Sequence, residues 1–294
     1  MFIKQIDDEN EDYARSMGYK EPLIKDEVET HLDLTNTSLE VDVLNIDQLP
    51  NEEYAMLRKN GLGTSDSSIV LGVNPYESIS ELIASKVRTY LTPEEIAVGD
   101  EVAVKKGRDL EPLIIKKFEE AFGQKNWKPS DMYVHKDFPY LKFNYDGVTG
   151  TPKQYIPCEI KVVTVKGEKY YHRAKAMYIE GIGFRPLQQD WASTNNSIQT
   201  KAAGYGIPAY YYTQLQQQIL GLNAPFGYLA VLMEKDWSLH VFFIHRDESV
   251  INQLIIKGAK VWEQVEELRN EQGYVQQSNN STSGPMSTDA DMQV

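Results

Sequence analysis

The segment 155–165 is predicted to be a β-strand, and it carries two charges near its middle. It is rich in β-branched residues, which favour strands, yet Glu159 and Lys161 interrupt it. Side chains two positions apart project from the same face of a strand, so the carboxylate and the ammonium point to one place. Charges in the middle of a strand need a reason, and a metal site is one.

A second carboxylate precedes this strand. Asp146 and Gly147 follow a predicted strand at 141–145, so Asp146 lies where that strand ends in a turn. Hydrolysis of a phosphodiester requires metal ions that neutralise its oxygens and activate water, and Mg²⁺ prefers oxygen ligands. Lys161 would orient the attacking water or offset charge on the phosphate. The alternative is an ordinary hairpin turn with an exposed Glu159 and Lys161 pair on an edge strand, and so short a pattern leaves both open.

Length and composition favour one large domain. The chain has 294 residues, of which 41% are apolar, enough for a full core. Its longest apolar runs, such as 228–233, are too short to span a bilayer, and its acidic N-terminus is unlike a secretion signal. We therefore expect a soluble protein of the cytoplasm. Cys158 is the single cysteine, which excludes an internal disulfide and a multi-cysteine metal site.

The distribution of charge matters more than its sum. A net charge of −13 argues at first against a nucleic-acid partner, whose affinity depends on neutralising phosphates. However, residues 1–50 hold 13 acidic and 4 basic side chains, whereas residues 101–185 hold 11 acidic and 16 basic ones. The segment that contains the charged strand is therefore basic, which is compatible with a DNA substrate.

The chain divides into an arm, a domain and a tail. Residues 1–48 are acidic and lack hydrophobic periodicity, which predicts a mobile arm or a small added subdomain. The domain is expected over 49–272, and a disordered polar tail over 273–294. Periodicity predicts helices at 65–71, 79–90, 94–122, 211–220 and 248–270, and strands at 132–135, 141–145, 156–165, 227–233 and 239–244. This order predicts an α/β fold with a mixed central β-sheet flanked by helices.

Several short motifs occur along the chain in one order, namely RKNGLGTSD at 58–66, GVNPY at 72–76, GRDLEP at 107–112, DG at 146–147, EIK at 159–161 and QLQ at 214–216. This ordered set resembles the lambda-exonuclease-like, or YqaJ-like, viral recombinases, a branch of the PD-(D/E)XK nucleases. The resemblance covers roughly residues 57–270, and its specificity lies in the set rather than in any one motif. It implies a PD-(D/E)XK nuclease-like core.

The resemblance also implies a metal site. The metal-binding acids of the family fall on Asp146 and Glu159, with the carbonyl of Ile160 as a further ligand, and its catalytic lysine falls on Lys161. Glu111 matches an acid on the helix that packs over the sheet and is expected to join them. The metal would be Mg²⁺, with two ions expected and Mn²⁺ as a substitute.

Two further matches concern the substrate. The arginine and serine that hold a DNA 5′-phosphate in the family fall on Arg58 and Ser65. Ser65 is also a candidate helix N-cap, with Asp66 in the first turn, and both roles are compatible because helix N-termini bind phosphate. Gln216 matches a glutamine close to the active-site lysine, and its alternative is an exposed residue of a glutamine-rich helix.

The function that the resemblance implies is a magnesium-dependent 5′→3′ exonuclease that resects double-stranded DNA ends for phage-type recombination. A ring-shaped homo-oligomer, a trimer, and a single-strand annealing protein as partner are implied with it. Two alternatives stay open. One is a PD-(D/E)XK endonuclease of restriction or repair type, without the Arg58 and Ser65 phosphate site. The other is a DNA-binding or partner-binding protein of the same fold without catalysis, against which the intact acid, acid and lysine set argues.

Some aromatic residues have two interpretations. His135 is interpreted as structural, because a magnesium enzyme needs no imidazole ligand. Five tyrosines would stack on unpaired bases or belong to the core, and the core is favoured. They are Tyr170, Tyr171, Tyr210, Tyr211 and Tyr212.

Overall fold

The computed structural model describes residues 31–35, 38–44, 50–92, 102–187 and 197–281. The helices in these ranges are α1 (Asn51–Lys59), α2 (Ser67–Val70), α3 (Ile79–Val87), α4 (Val102–Phe122), α5 (Ile198–Tyr205), α6 (Ala209–Gly221) and α7 (Glu248–Ser281). Among the described helices, none has both the length and the apolar character that are needed to cross a membrane.

The strands form two sheets. They are β1 (Val41–Leu44), β2 (Asn126–Trp127), β3 (Met132–His135), β4 (Lys142–Phe143), β5 (Val148–Thr151), β6 (Gln154–Val163), β7 (Tyr178–Ile179), β8 (Gly183–Phe184), β9 (Phe226–Met233) and β10 (Ser238–His245). The central sheet has the order β2-β5-β6-β9-β10-β7-β8, and a smaller sheet has the order β1-β3-β4. Only β6 and β9 pair in parallel among these strands, which makes the central sheet mixed, as predicted.

Helices cover both faces of the central sheet. β9 is buried along its whole length, as expected of a strand in a sheet covered on both sides. On one face, the ring of Tyr228 packs against Phe118 of α4, with the centroids 5.4 Å apart. On the other face, a Cβ on Gly227 would lie 2.9 Å from the side chain of Leu215 in α6. The α/β architecture predicted from the order of elements is therefore confirmed.

Part of the acidic N-terminal segment belongs to the folded domain. β1 pairs antiparallel with β3, and Val41 lies opposite His135. Leu39 and Val41 are buried in the core. The expectation of a mobile arm is wrong for the described residues between 31 and 44, because a few buried apolar residues are enough to hold a strand against β3. The other residues of 1–48 lie outside the described part.

Three helices differ from the sequence predictions, and one of them, α3, ends at Val87 rather than at residue 90. The single helix predicted at 65–71 is instead a 3₁₀ turn, Thr64–Asp66, followed by the short α2. The last helix continues past its predicted end at residue 270 to Ser281, so the expectation of disorder from 273 onward fails as far as that residue. Residues 282–294 lie outside the described part.

The connection at 170–206 contains structure of its own. β7 and β8 form a hairpin, and β7 pairs antiparallel with β10, where Tyr178 lies opposite Val241. The connection therefore extends the central sheet and then enters α5, while residues 188–196 lie outside the described part. Strands of two residues have too little alternation to be recognised in a sequence.

Candidate active site

Asp146 and Glu159 meet where β5 and β6 separate. The last backbone hydrogen bond between these neighbours joins the N–H of Cys158 to the carbonyl of Gly147, at 2.8 Å. Two residues further along β6, the N–H of Ile160 donates to Asp146 Oδ2 instead, at 3.2 Å. A side-chain carboxylate thus continues the strand pairing, which fixes Asp146 beside the face that carries Glu159.

The carboxylate of Glu159 is fully buried and accepts three side-chain hydrogen bonds. Lys161 Nζ and Gln214 Nε2 both donate to Oε1, and Gln218 Nε2 donates to Oε2 at 2.6 Å. Lys161 Nζ also lies 3.6 Å from Asp146 Oδ2. The pair was predicted because Glu159 and Lys161 share one face of a strand. The alternative, an exposed charge pair on an edge strand, is wrong, since β6 lies between β5 and β9 and Glu159 is buried.

Burial and charge shift the pKa values of both partners. Burial, together with the nearby Asp146, raises the pKa of Glu159 above its ordinary range, and this outweighs the opposite effect of Lys161 and Gln218. Burial alone would lower the pKa of Lys161, but the carboxylates of Glu159 and Asp146 raise it above its ordinary value. The two carboxylates therefore favour the ammonium form of Lys161.

Lys161 borders an aromatic surface. Its Nζ lies 5.3 Å from the centroid of the Tyr211 ring, within the range of a cation–π interaction. Its side chain is 22% exposed, whereas that of Glu159 is not exposed at all. The side chain of Lys161 is therefore the part of the pair that solvent reaches.

The donor set fits a hard divalent cation. Asp146 and Glu159 supply carboxylate oxygens, and Lys161 offsets only one of their two charges. Ile160 adds a carbonyl, because the N–H and C=O of one residue point to the same edge of a strand and its N–H faces Asp146. These are the ligands that the sequence predicted at the centre of the site.

Glu111 lies on α4 and has another partner. Its Oε2 accepts a hydrogen bond from Lys128 Nζ at 2.6 Å, and its side chain is 21% exposed. Within the described ranges, no three His, Cys, Asp or Glu side chains are grouped so that they could hold a metal ion. The structure does not bring Glu111 to Asp146 and Glu159, so its role as a ligand stays a prediction.

Gln216 does not lie beside Lys161, contrary to the prediction. It is buried, its Nε2 donates to the carbonyl of His245 at 2.7 Å, and its Oε1 accepts from the N–H of Asp247 at 2.8 Å. It therefore joins α6 to the end of β10, and it is not the exposed residue of the alternative either. A position two residues away on a helix faces nearly the opposite side, which is why Gln214 and Gln218 reach the site instead.

Arg58 lies at the C-terminal end of α1, on the side of the helix that approaches the site. Its guanidinium carbon is 6.0 Å from the centroid of the Tyr54 ring. The hydroxyl of Tyr54 accepts a hydrogen bond from Asn144 Nδ2 at 3.0 Å, and the carbonyl of Asn144 accepts from Gln218 at 3.4 Å. These contacts link Arg58 to the segment that ends in Asp146.

Ser65 is exposed in the 3₁₀ turn and is not its cap. Gly63 precedes the turn, and its N–H donates to Asp66 Oδ2 at 2.8 Å. Asp66 also pairs with Lys86 at 2.7 Å. The hydroxyl of Ser65 makes no capping hydrogen bond, so the N-cap interpretation is wrong and the side chain faces solvent beside a rigid turn.

His135 is structural, as predicted. It is buried, and its Nδ1 accepts the backbone N–H of Asp137 at 3.1 Å. Burial lowers the pKa of its ring below the ordinary value, so the ring stays neutral. Tyr212 also belongs to the core, where its hydroxyl donates to Asp247 at 2.7 Å.

Comparison with known proteins identifies the family. The family model described as the YqaJ-like viral recombinase domain matches residues 53–221. The chain belongs to this family. The matched range contains Asp146, Glu159, Lys161 and both glutamines that bind Glu159, so the site lies within the part that defines a YqaJ-like viral recombinase domain.

A curated relative and a solved structure are similar to this YqaJ-like chain. The uncharacterized protein YqaJ of Bacillus subtilis (strain 168) is 27% identical over 112 residues, which are 38% of this chain. That match spans about a third of the curated relative, 34% of its length. An alkaline exonuclease from Laribacter hongkongensis, LHK-Exo, has a similar structure, with a TM-score of 0.51 and 16% identity, and the match covers 79% of this chain and 100% of that one. The same exonuclease in complex with dAMP gives a TM-score of 0.50. The fold is the PD-(D/E)XK nuclease-like fold that the sequence predicted.

Proposed function

We propose that this protein is a metal-dependent deoxyribonuclease that degrades duplex DNA from its ends in the 5′→3′ direction. The arrangement of Asp146, Glu159 and Lys161 where β5 and β6 separate supports it, because two carboxylates and one ammonium meet there at the surface of a rigid sheet. The YqaJ-like family and the fold shared with an alkaline exonuclease agree with that chemistry.

Asp146, Glu159 and the carbonyl of Ile160 would hold Mg²⁺, with two ions proposed and Mn²⁺ as a substitute. Bound Mg²⁺ supplies neutralisation of the phosphate oxygens and activation of the attacking water. Gln214 and Gln218 orient the carboxylate of Glu159, because their amides donate to its two oxygens. Glu111 would become a metal ligand only if its side chain left Lys128 and turned towards Asp146 and Glu159.

Lys161 would act by charge and hydrogen bonding. The raised pKa favours its protonated form, so we assign it no role as a general base. Its ammonium instead orients the water or donates to a phosphate oxygen as negative charge develops there. The water would bond to phosphorus and release a proton to the surrounding solvent, while the phosphodiester P–O bond breaks and the leaving oxygen takes up a proton from solvent.

Arg58 and Ser65 would bind the 5′-phosphate of the strand that is cut. Both side chains are exposed, and Tyr54 with Asn144 connects Arg58 to the segment of Asp146. A guanidinium grips a terminal phosphate with paired hydrogen bonds, which gives a preference for ends over internal positions.

The decisive experiment compares DNA substrates in one assay. The protein is incubated with Mg²⁺ and either 5′-phosphorylated linear duplex or the same DNA as a closed circle, and product length is followed with time. We expect short products from the linear DNA only, and no products in EDTA. Lys161→Ala should lower single-turnover cleavage about 10²-fold or more while DNA binding is kept. Cutting of closed circles would favour the endonuclease, and binding without any cutting would favour the non-catalytic alternative.

A second experiment tests the phosphate site. Arg58→Ala should slow degradation of 5′-phosphorylated ends about 10- to 100-fold, the scale of a lost charge-assisted hydrogen bond. It should affect 5′-hydroxyl ends much less. Lys116→Ala is the matched control, because it removes a positive charge from a side chain that is 72% exposed on α4. Equal losses of Arg58→Ala on both kinds of end would assign Arg58 to general DNA binding.

We also propose a ring-shaped homotrimer and a single-strand annealing protein as partner, both implied by the family. Resection by this enzyme would provide the single strands that such a partner anneals in phage-type recombination. Sedimentation equilibrium of the full chain would give the mass of a trimer, and a monomer mass at all concentrations would contradict it.

A further inference from the structure

Four tyrosines from three separate segments meet beside Lys161. The tyrosine cluster consists of Tyr76, Tyr171, Tyr210 and Tyr211. The ring of Tyr76 lies edge-on to Tyr210 with centroids 5.9 Å apart, Tyr210 meets Tyr211 at 4.4 Å, and Tyr171 stacks on Tyr211 at 6.5 Å. Since Tyr211 also contacts the ammonium of Lys161, the cluster runs from the catalytic lysine outward.

Exposure increases along the tyrosine cluster. Tyr171 is 8% exposed, Tyr210 and Tyr211 are half-buried, and Tyr76 is 78% exposed. The inner end therefore belongs to the core, as the sequence favoured for Tyr171. The outer end does not, because a ring as exposed as that of Tyr76 contributes little to folding.

Tyr76 is held outward by its own loop. The N–H groups of Tyr76 and Glu77 donate to Asn74 Oδ1 at 2.8 and 3.0 Å, and Asn74 Nδ2 donates to Ser68 Oγ at 2.8 Å. The backbone of the loop is thereby fixed to α2. A rigid aromatic ring presented to solvent loses little conformational freedom on binding, which is typical of a recognition residue.

The tyrosine cluster is connected to both parts of the proposed site. At its outer end, the loop of Tyr76 is anchored on Ser68, three positions after Ser65. Through Tyr211, it reaches Lys161. A strand whose 5′-phosphate is bound near Ser65 and whose scissile phosphate lies near Lys161 would pass over these rings.

We propose that Tyr76 and Tyr210 form a stacking platform for unpaired bases of the strand that enters the active site. This inference rests on the proposed nuclease function and adds the form of the substrate, a DNA end whose terminal bases are separated from their partners. Stacking on aromatic rings replaces the stacking that a base loses when it leaves the duplex. It requires no sequence preference, because every base has an aromatic face.

The cations beside the rings match nucleic acid as the occupant. Lys161 contacts Tyr211, and Lys169 lies 4.9 Å from the ring centroid of the neighbouring Tyr170, which is 54% exposed. Alternation of aromatic rings and cations matches a strand that alternates bases and phosphates. Burial raises the pKa of Tyr210 and Tyr211, so these phenols stay neutral beside an anionic backbone.

The test measures stacking without cleavage. A duplex with a few mismatched nucleotides at its 5′-phosphorylated end carries 2-aminopurine at the terminal position, and Ca²⁺ replaces Mg²⁺. Wild-type protein and Tyr76→Phe should quench the fluorescence, and Tyr76→Ala should not. Tyr76→Ala should also bind this end about 5- to 100-fold more weakly, the scale of one lost base stack. Tyr90→Ala is the matched control, because Tyr90 is 61% exposed and contacts no ring among the described aromatic pairs.

An abasic end separates stacking from a general loss of binding. On the same duplex with abasic sites in place of the mismatched bases, wild type and Tyr76→Ala should bind equally. A penalty of Tyr76→Ala that persists on the abasic end, or quenching by Tyr76→Ala equal to wild type, would overturn the platform.

The parallel cleavage assay with Mg²⁺ distinguishes the two proposals. Cleavage by wild type with unchanged quenching in Tyr76→Ala would overturn the platform and leave the nuclease function intact. Quenching that depends on Tyr76, without cleavage by wild type, would support the platform and overturn the nuclease function.

Discussion

Glu159 shows what a buried carboxylate requires at the scale of single residues. Moving an ionised carboxylate into the interior is costly unless charges and hydrogen bonds compensate it. Lys161, Gln214 and Gln218 supply that compensation, and yet the pKa of Glu159 stays raised because burial and Asp146 dominate. The Mg²⁺ of the proposed function would compensate the free-energy cost of burying this ionised carboxylate, which Lys161, Gln214 and Gln218 only reduce.

The first prediction concerns the pH dependence of stability. Because the pKa of Glu159 is higher in the folded than in the unfolded protein, folding binds a proton, and stability is lost as pH rises from about 4.5 through the folded pKa. Glu159→Gln cannot titrate. In EDTA, we expect the free energy of urea unfolding of wild type to fall relative to Glu159→Gln between pH 5 and pH 8. Parallel curves for the two proteins would contradict a raised pKa.

Gly147 shows why the turn after Asp146 needs a glycine. A Cβ at this position would lie 2.4 Å from Oδ1 of Asn126, which is itself buried. The close approach of Asn126 leaves no room for a side chain. The carbonyl of Gly147 also accepts from Cys158, so a shift of Gly147 would move Asp146 relative to Glu159.

The second prediction is that Gly147→Ala lowers both stability and cleavage. Overpacking of this kind typically costs about 1–3 kcal/mol, and displacement of Asp146 should lower cleavage per folded molecule as well. Gly107→Ala is the matched control, because Gly107 lies in α4 with no atom near its added Cβ, and it should be neutral or slightly stabilising. Urea unfolding and single-turnover cleavage measure the two effects. If Gly147→Ala had the unfolding free energy and the cleavage rate of wild type, Asn126 would move aside without cost.

At the scale of elements, α6 illustrates where sequence information stops. Its existence was predicted from periodicity, and the structure confirms it over Ala209–Gly221. Which of its glutamines faces β6 depends on the rotation of the helix against the sheet, and a motif match at Gln216 does not contain that information. The spacing of Gln214 and Gln218 by four positions, which places both on one face, was the signal that could have found them.

The third prediction separates these glutamines. Gln218→Ala should lower cleavage about tenfold or more, because Glu159 loses a donor and its orientation. Gln216→Ala should instead cost about 1–3 kcal/mol of stability, because it leaves the carbonyl of His245 and the N–H of Asp247 without their partner. Unfolding and cleavage per folded molecule are measured for both variants. If Gln216→Ala lost cleavage while Gln218→Ala kept it, Gln216 rather than Gln218 would act at the active site, as the family match implied.

The elements that the sequence missed share a physical cause. β9 and β10 were predicted because their apolar runs are long enough to show a pattern. β1, β7 and β8 are short, and pairing holds them rather than any local preference: β1 pairs with β3, β7 with β10, and β8 with β7. The centre of the site was predictable because it depends on local structure. Glu159 and Lys161 lie two positions apart on one strand, so the alternation of side chains along that strand places them on the same face.

At the scale of the whole molecule, Glu111 marks the limit of prediction for the site. Asp146, Glu159 and Lys161 come from neighbouring strands whose pairing is local in sequence. Glu111 comes from a separate helix, so its approach depends on the tilt and rotation of α4 over the sheet, and its charge is satisfied by Lys128. Distant elements are placed by the packing of the entire core, which no single motif encodes.

The uneven charge of the chain leads to the last prediction. Residues 1–30 carry nine acidic and four basic side chains, whereas the segment around the site is basic. Removing residues 1–30 should therefore tighten DNA binding at about 50 mM salt, and the gain should shrink at about 200 mM because salt screens the repulsion. Fluorescence anisotropy with labelled duplex measures the affinity for DNA.

Removing residues 1–48 is the contrasting variant. It deletes β1 with the buried Leu39 and Val41, so it should lower the free energy of unfolding by about 3 kcal/mol or more. Unchanged affinity of the shorter deletion at low salt would show that its charges do not oppose DNA, and unchanged stability of the longer one would show that β1 is dispensable for the smaller sheet.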